Sequence, residues 1–205
     1  MYKLTFIQPA LPLLVEQPPS GAEWVHEIKW DGWRCQIIKD LDTVRVFTRK
    51  PNDWTDELPT IVEAARALKS KRFIIDGELI ASTEGHDFYT LPAAIRRKQV
   101  NVIAFDLMHL DATDVRRSRL EDRKEALAGL IGDSDLIQLS ETFHDPHDLL
   151  RAAERYGLEG IVSKRRDLQY RSGRCPHWLK VKTAAWREAN TNRYKKFRRE
   201  KPDPS

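Results

Sequence analysis

The sequence predicts an α+β chain of mainly antiparallel sheets flanked by helices. Three observations carry that expectation: β-rich runs recur with hairpin-type turns between them, single helical stretches interrupt them, and the regular βαβ alternation of a doubly wound sheet is missing. With 205 residues, 40% hydrophobic and 32% charged, the chain can bury the core of one compact domain of two lobes, or of two small domains.

The opening stretch, Met1 to Val15, is mildly apolar but broken by Gln8, Pro9 and Pro12, and reads as an extended strand on the body, not as a signal peptide. Pro18-Pro19-Ser20-Gly21 is a turn ahead of a strand from Trp24 to Trp30. Arg34 to Lys39 and Thr43 to Thr48 are β-rich and join through Asp40-Leu41-Asp42 as a hairpin. Pro59 to Leu68 has helical spacing at Ile61, Ala64, Ala65 and Leu68. Arg72 to Ala81 is a buried strand ending in the polar turn Ser82 to Gly85. Val100 to Leu110 is another, closed by Asp111-Ala112-Thr113-Asp114. Ser118-Arg119-Leu120-Glu121 fits a capping box opening a helix to Leu130. Asp145-Pro146 supplies an N-cap and a first-turn proline for a helix through Tyr156, stopped by Gly157. Ile161 to Lys164 and Trp178 to Thr183 are short strands, and Trp186 to Arg199 is a basic helix.

Charge is unevenly spread. Residues 186 to 205 hold seven basic and three acidic side chains, so the whole net charge of +4 resides there and residues 1 to 185 balance. This divides the chain into a body, 1–185, and a basic tail, 186–205, and excludes a uniformly cationic nucleic-acid coat. No apolar run approaches the length needed to cross a bilayer. Two cysteines, Cys35 and Cys175, make no disulfide scaffold and fit a reducing cytoplasm. No Walker-type glycine loop is present, which disfavours a P-loop ATPase. His144 and His147 lack a third ligand nearby in sequence, and Cys175-Pro176-His177 reads as a loop.

The most informative segment is Glu27-Ile28-Lys29-Trp30-Asp31-Gly32-Trp33-Arg34. On a strand, Glu27, Lys29 and Asp31 project to one face. Gly32 permits a sharp turn or a close backbone approach, and Arg34 is a planar fork suited to phosphate or ribose oxygens. Taken alone, these residues also fit a surface hairpin with one ion pair.

Further segments complete a motif series. Asp76-Gly77-Glu78-Leu79, Phe105-Asp106-Leu107, Glu159-Gly160-Ile161-Val162-Ser163-Lys164 and Trp178-Leu179-Lys180-Val181-Lys182 follow in order. The chain resembles the adenylation domain of ATP-dependent DNA ligases, in particular the ligase module of bacterial end-joining ligases. The resemblance covers nearly the whole chain, from the Pro-rich opening to Lys182. It is weakest at Thr48-Arg49-Lys50-Pro51, where many relatives continue Arg-Asn-Gly.

The resemblance implies a two-lobed, ATP-grasp-like nucleotidyltransferase fold and assigns roles. Lys29 is the nucleophile that attacks the α-phosphate of ATP to form a covalent lysyl-AMP. A free lysine has a pKa of about 10.4, so nearby positive charge is needed to favour the neutral amine. Lys180 and Lys182 alternate on one strand face and can supply that charge while holding the phosphate. Taken alone, they equally fit a solvated basic strand edge. Glu27 reads the adenine amine and Phe105 stacks on the base, although a phenylalanine in that run also fits the core. Arg34 and Arg49 contact ribose or phosphate. Glu78 contacts the ribose and, with Asp31 and Glu159, a divalent ion, Mg²⁺ with Mn²⁺ as the substitute.

Such ligases usually append an OB-fold domain, and only 23 residues follow Lys182. The expectation is therefore an isolated adenylation domain with no OB-fold domain, for which a partner protein supplies that function or DNA-end binding. Its substrate is nicked or broken double-stranded DNA, its setting the bacterial cytoplasm at the nucleoid, with no membrane association. Trp186, Tyr194 and Phe197, interleaved with the tail's cations, fit either DNA contact or docking on the body. An RNA ligase, a GTP-using capping-type enzyme and a non-catalytic DNA-end-binding accessory are the alternatives.

Overall fold

The computed structural model describes residues 2–82 and 89–191. Its strands are β1 (Ala10–Leu14), β2 (Trp24–Lys29), β3 (Trp33–Asp40), β4 (Thr43–Thr48), β5 (Arg72–Ala81), β6 (Val100–Leu110), β7 (Thr113–Asp114), β8 (Ile137–Leu139), β9 (Gly160–Arg165) and β10 (Gly173–Lys182). The helices are α1 (Pro59–Ala67), α2 (Leu91–Arg97), α3 (Leu120–Ile131), α4 (Pro146–Arg155) and α5 (Ala184–Ala189). A four-stranded sheet runs β1-β10-β9-β2, and a six-stranded sheet runs β4-β3-β5-β6-β7 with β8 on β6. Only β1 with β10 and β6 with β8 pair in parallel among the described strands.

Alternation along the strands gives each sheet two apolar faces, and three clusters fill them. Ile28, Ile161 and Val181 of the first sheet pack against Leu149 and Ala153 of α4. On the far side of the second sheet, Ile37, Val46, Ile75 and Val102 meet Ile61 of α1, Leu91 of α2 and Leu127 of α3. Between the sheets, Ile38, Ile74 and Met108 face Cys175 and Trp178, with Leu4 and Tyr170 closing the cluster. The two sheets thus form lobes that face each other, each backed by helix.

The N-terminal segment ties the lobes together. Gln36 exchanges two hydrogen bonds with the backbone of Ile7, both 2.8 Å, and Leu4 N–H donates to Asp40 at 2.9 Å. The segment then joins the other sheet as β1. Arg123 and Asp106 form a fully buried bidentate pair at 2.7 and 2.8 Å. Arg123 also donates to the carbonyls of Ser118 and Leu168, so the desolvated charges are well partnered.

The hairpin, the strands at 72–81 and 100–110, and the Asp145 cap stand as the sequence predicts; Asp145 accepts from the N–H groups of His147 and Asp148. Other elements differ. The capping box does not form. Arg119, not Ser118, occupies the N-cap of α3, and the N–H groups of Leu120 and Glu121 donate to the carbonyls of Leu168 and Arg166 at 3.0 and 3.1 Å. A tertiary backbone contact has replaced the local one. β10 begins at Gly173, so Cys175-Pro176-His177 is strand and not loop, drawn out by parallel pairing with β1. Both thiols are buried and unbridged, and burial pushes that of Cys35 up. The tail from residue 192, with Tyr194 and Phe197, lies outside the described residues. Among the described residues no helix is long and apolar enough to cross a membrane.

Candidate active site

The floor of the site comes from the first sheet. β9 lies between β2 and β10, and Gly160 is the register partner of both Lys29 and Lys182. The three share one face, and the glycine leaves the space between the two lysines empty of side chain. A Cβ there would lie 2.0 Å from the Val181 carbonyl, and the φ of +152° itself disfavours a side chain. Glu159, one residue earlier, fills the gap. Its Oε2 accepts from Lys29 Nζ at 2.7 Å and its Oε1 from Lys182 Nζ. The Lys29 side chain keeps 22% of its surface accessible against 3% for Glu159, so the amine is the reachable member of the pair.

Two residues along, the next row is Glu27, Val162 and Lys180; two further, it is Val25, Lys164 and Trp178. Burial works against the charge on Glu27, yet Lys124 and Lys164 hold its carboxyl below the ordinary range. Lys124 donates to one oxygen, and Lys164 and Ser140 to the other, at 2.8 to 2.9 Å. Lys164 is buried with its Nζ 4.5 and 4.3 Å from the ring centres of Phe105 and Trp178. Desolvation lowers its pKa to about 8 against the pull of Glu27.

The facing wall comes from the second sheet. Arg34 lies opposite Glu78 and makes two 2.6 Å bonds to Asp76, whose charge keeps the guanidinium protonated despite burial. Tyr170 Oη donates to Asp76 at 2.8 Å and accepts from Ala10 N–H at 2.8 Å. The Arg34 guanidinium sits 4.5 Å from the centre of the Phe105 ring. Phe105 reaches this position through a bulge: the partners of Asp76 and Gly77 are Asp106 and Ala104, and Phe105 is the extra residue. The bulge reverses the alternation and turns the ring toward the site. Burial raises the pKa of Glu78, opposed by Lys29, Arg34 and the Gly32 N–H.

The chain crosses from floor to wall through Trp30, Asp31 and Gly32. A Cβ on Gly32 would meet the Leu79 carbonyl at 2.1 Å, so only glycine lets this crossing pack on β5. Between the sheets lies a cavity of about 610 Å³. Glu27, Lys29, Asp31, Arg34, Arg49, Glu78, Phe105, Glu159, Lys180 and Lys182 all line it. Arg49 is exposed on the loop after β4. Asp31 accepts from the Trp186 indole at 3.2 Å. Asp31, Glu78 and Glu159 share the cavity without converging, since no group of three or more His, Cys, Asp or Glu is placed to hold a metal among the described residues. Their oxygens fit a hard cation bound mostly through substrate and water, and not an all-protein cage.

Lys164, Trp178 and Asp76 stand in the sequence motifs without an assigned site role, Trp186 was left between DNA contact and docking on the body, and Lys124 was not singled out. Alternation from Val162 was the available signal for Lys164, and the Asp76–Glu78 spacing for Asp76. Nothing local marks Lys124, which reaches Glu27 from α3.

Comparison with known proteins gives the arrangement a family. A family model described as "ATP dependent DNA ligase domain" matches residues 15–182. The chain belongs to this family. It is 40% identical over 185 residues to the multifunctional non-homologous end joining protein LigD of Pseudomonas aeruginosa, covering 86% of this chain and 22% of that protein. It is 35% identical over 210 residues to a probable DNA ligase of Streptomyces coelicolor, covering 88% of this chain and 40% of that protein. Among solved structures, the ligase domain of M. tuberculosis LigD superposes with a TM-score of 0.73 at 27% identity, covering 85% of this chain and 59% of that one. The chain therefore spans well under half the length of these two sequence relatives. The fold is that of the ligase nucleotidyltransferase domain.

Proposed function

We propose that residues 1–185 act as the adenylation domain of an ATP-dependent DNA ligase, with Lys29 as the nucleophile. The observation that carries the reading is the Glu159 carboxylate shared by Lys29 and Lys182 at the floor of the cavity. Lys29 must lose a proton before it can attack, and Glu159 Oε2 at 2.7 Å is placed to accept it. The amine lone pair attacks the α-phosphorus of ATP. The N–P bond forms, the bond to the β-phosphate oxygen breaks, and pyrophosphate leaves with that electron pair. A second proton goes to solvent as the phosphoramidate forms. A 5′-phosphate oxygen at a DNA nick then displaces Lys29, and a 3′-hydroxyl displaces AMP to leave the sealed phosphodiester.

The remaining roles follow from position. Lys180 and Lys182 offset charge on the α-phosphate. Phe105 and Trp178 offer faces for the base, with Glu27 and Lys164 at its edge. Arg34, Arg49 and Glu78 face the ribose and phosphates. Mg²⁺, or Mn²⁺ in its place, held by Asp31, Glu78 or Glu159, would neutralise phosphate charge when bound. The substrate is nicked or broken double-stranded DNA in bacterial end joining at the nucleoid. Because the relatives extend far beyond the matched region, a DNA-clamping module, in the same polypeptide or in a partner protein, is proposed to complete the enzyme.

Intact mass after incubation with ATP and Mg²⁺ tests the covalent step. Wild type is expected to gain one AMP, and Lys29→Ala none. An unmodified wild-type chain, or a modified Lys29→Ala, overturns the assignment. ATP against GTP as donor, and DNA against RNA nicks as acceptor, define the substrate.

A further inference from the structure

We infer that Trp186 is a positioning residue for the phosphate site, joining the loop that follows the nucleophile to the lysine that shares its carboxylate. The inference rests on the adenylation reading and adds a residue outside the motif series. Trp186 is 7% exposed and makes two contacts inside the site. Its indole N–H donates to Asp31 Oδ2 at 3.2 Å, and its ring centre lies 3.5 Å from Lys182 Nζ. One side chain thus touches the residue two places after Lys29 and the cation across Glu159 from it.

Each contact has a distinct effect. The hydrogen bond to a carboxylate limits the excursions of the 30–32 crossing, and with them the direction in which Lys29 leaves β2. The ring face favours the charged ammonium of Lys182 and fixes where that charge sits beside Glu159. Trp186 is itself well anchored. Thr183 Oγ1 accepts from its backbone N–H at 3.3 Å, and the Glu154 carboxylate accepts from Ala184 and Ala185 at 2.8 and 2.9 Å. Arg187 donates twice to the Lys182 carbonyl, at 3.0 and 2.7 Å, holding α5 against the end of β10. Of the two roles open to Trp186 in the sequence, docking on the body is the one the structure has.

Two variants of the full chain separate the contacts. Trp186→Phe keeps a ring under Lys182 and removes the N–H; Trp186→Leu removes the ring. Trp186→Phe is expected to slow AMP-adduct formation about tenfold at saturating ATP, with the half-saturating ATP concentration and the melting temperature close to wild type. In an Asp31→Ala background, already slowed by loss of that carboxylate, Trp186→Phe should slow the reaction no further, because the contact it removes is absent there. In a Lys29→Ala background, Trp186→Leu is expected to weaken non-covalent ATP binding several-fold by calorimetry, and to have no effect once Lys182 is Met. Adduct formation at the wild-type rate in Trp186→Phe, or additive losses in either pair, overturns the inference. A wild type that forms no adduct but still shows the Trp186–Lys182 coupling in ATP binding overturns only the lysyl-AMP reading.

Discussion

Lys29 and Lys182 face the same glycine from opposite sides and divide the two oxygens of Glu159 between them. A buried carboxylate with an ammonium on each side carries net positive charge, which suits it to receive a phosphate.

Glu159→Gln removes that neutralising charge and leaves two ammonium groups competing for one amide oxygen. Stability is expected to fall by about 3 kcal/mol, within the range for breaking a buried pair and tempered by the accessibility of Lys29. AMP-adduct formation should slow at least a hundredfold, on the order expected for loss of a general base. Urea unfolding and single-turnover labelling measure the two effects.

Gly160→Ala should be among the least tolerated substitutions in the floor, because its Cβ would meet the Val181 carbonyl at 2.0 Å. The β9–β10 ladder has to open to relieve the contact, and Lys182 moves with it. A loss of about 2 to 4 kcal/mol is expected from strain and broken pairing. Gly129→Ala, in helix α3 with nothing within 4 Å, is the control and should leave the melting temperature unchanged or slightly raised, since alanine is the better helix former.

The buried Lys164 predicts a pH signature. Its pKa falls from 10.5 to about 8 in the folded protein. Between those values the unfolded chain binds more protons than the native one, so stability rises with pH across the window. Below it the full cost of burying the charge is present, and above it that cost is gone. Compared with Lys164→Met, the wild type should gain on the order of 1.4 kcal/mol per pH unit inside the window. Parallel stability curves for the two proteins from pH 8 to 10.5 would contradict the assignment.

Tyr170→Phe deletes one hydroxyl with two partners. Asp76 loses a donor and the buried Ala10 N–H loses its acceptor, at an expected cost of about 1 to 3 kcal/mol. Arg34 depends on Asp76 for its place over Phe105, so the ATP concentration for half-maximal labelling should rise several-fold while the maximal rate holds. Calorimetric melting and an ATP titration report the two consequences.

Part of the site was legible because its chemistry is written in short spacings. Glu27 to Lys29 and Lys180 to Lys182 each lie within one strand, where alternation fixes the facing. What stayed hidden depends on distant pairing. The bulge that turns Phe105 is visible only against β5, and the strand character of Cys175 to His177 only against β1. Helix α2 has no side-chain cap and is only seven residues long, too short to show a helical period, although Pro92 in its first turn marks its start. Ser118 carried the right letters for a cap, but the loop carbonyls of Arg166 and Leu168 reached the helix first. Trp186 looked like part of a cationic tail because composition groups neighbours in sequence, whereas Asp31, its partner, lies 155 residues away.

The order β1-β10-β9-β2 has a consequence for how the site comes into being during synthesis. The second sheet is built from strands between residues 33 and 139, so its pairings close early as the chain emerges. The first sheet joins strands from both ends, and β2, apart from the bridge between His26 and Phe143, has no strand partner until residues 160 to 165 arrive. A ribosome stalled before Glu159 therefore carries Lys29, Arg34, Glu78 and Phe105 but neither the shared carboxylate nor Lys180 and Lys182. On the proposed adenylation reading, the nucleophile is made among the first residues and its carboxylate partner among the last, so a half-made chain is expected not to consume ATP.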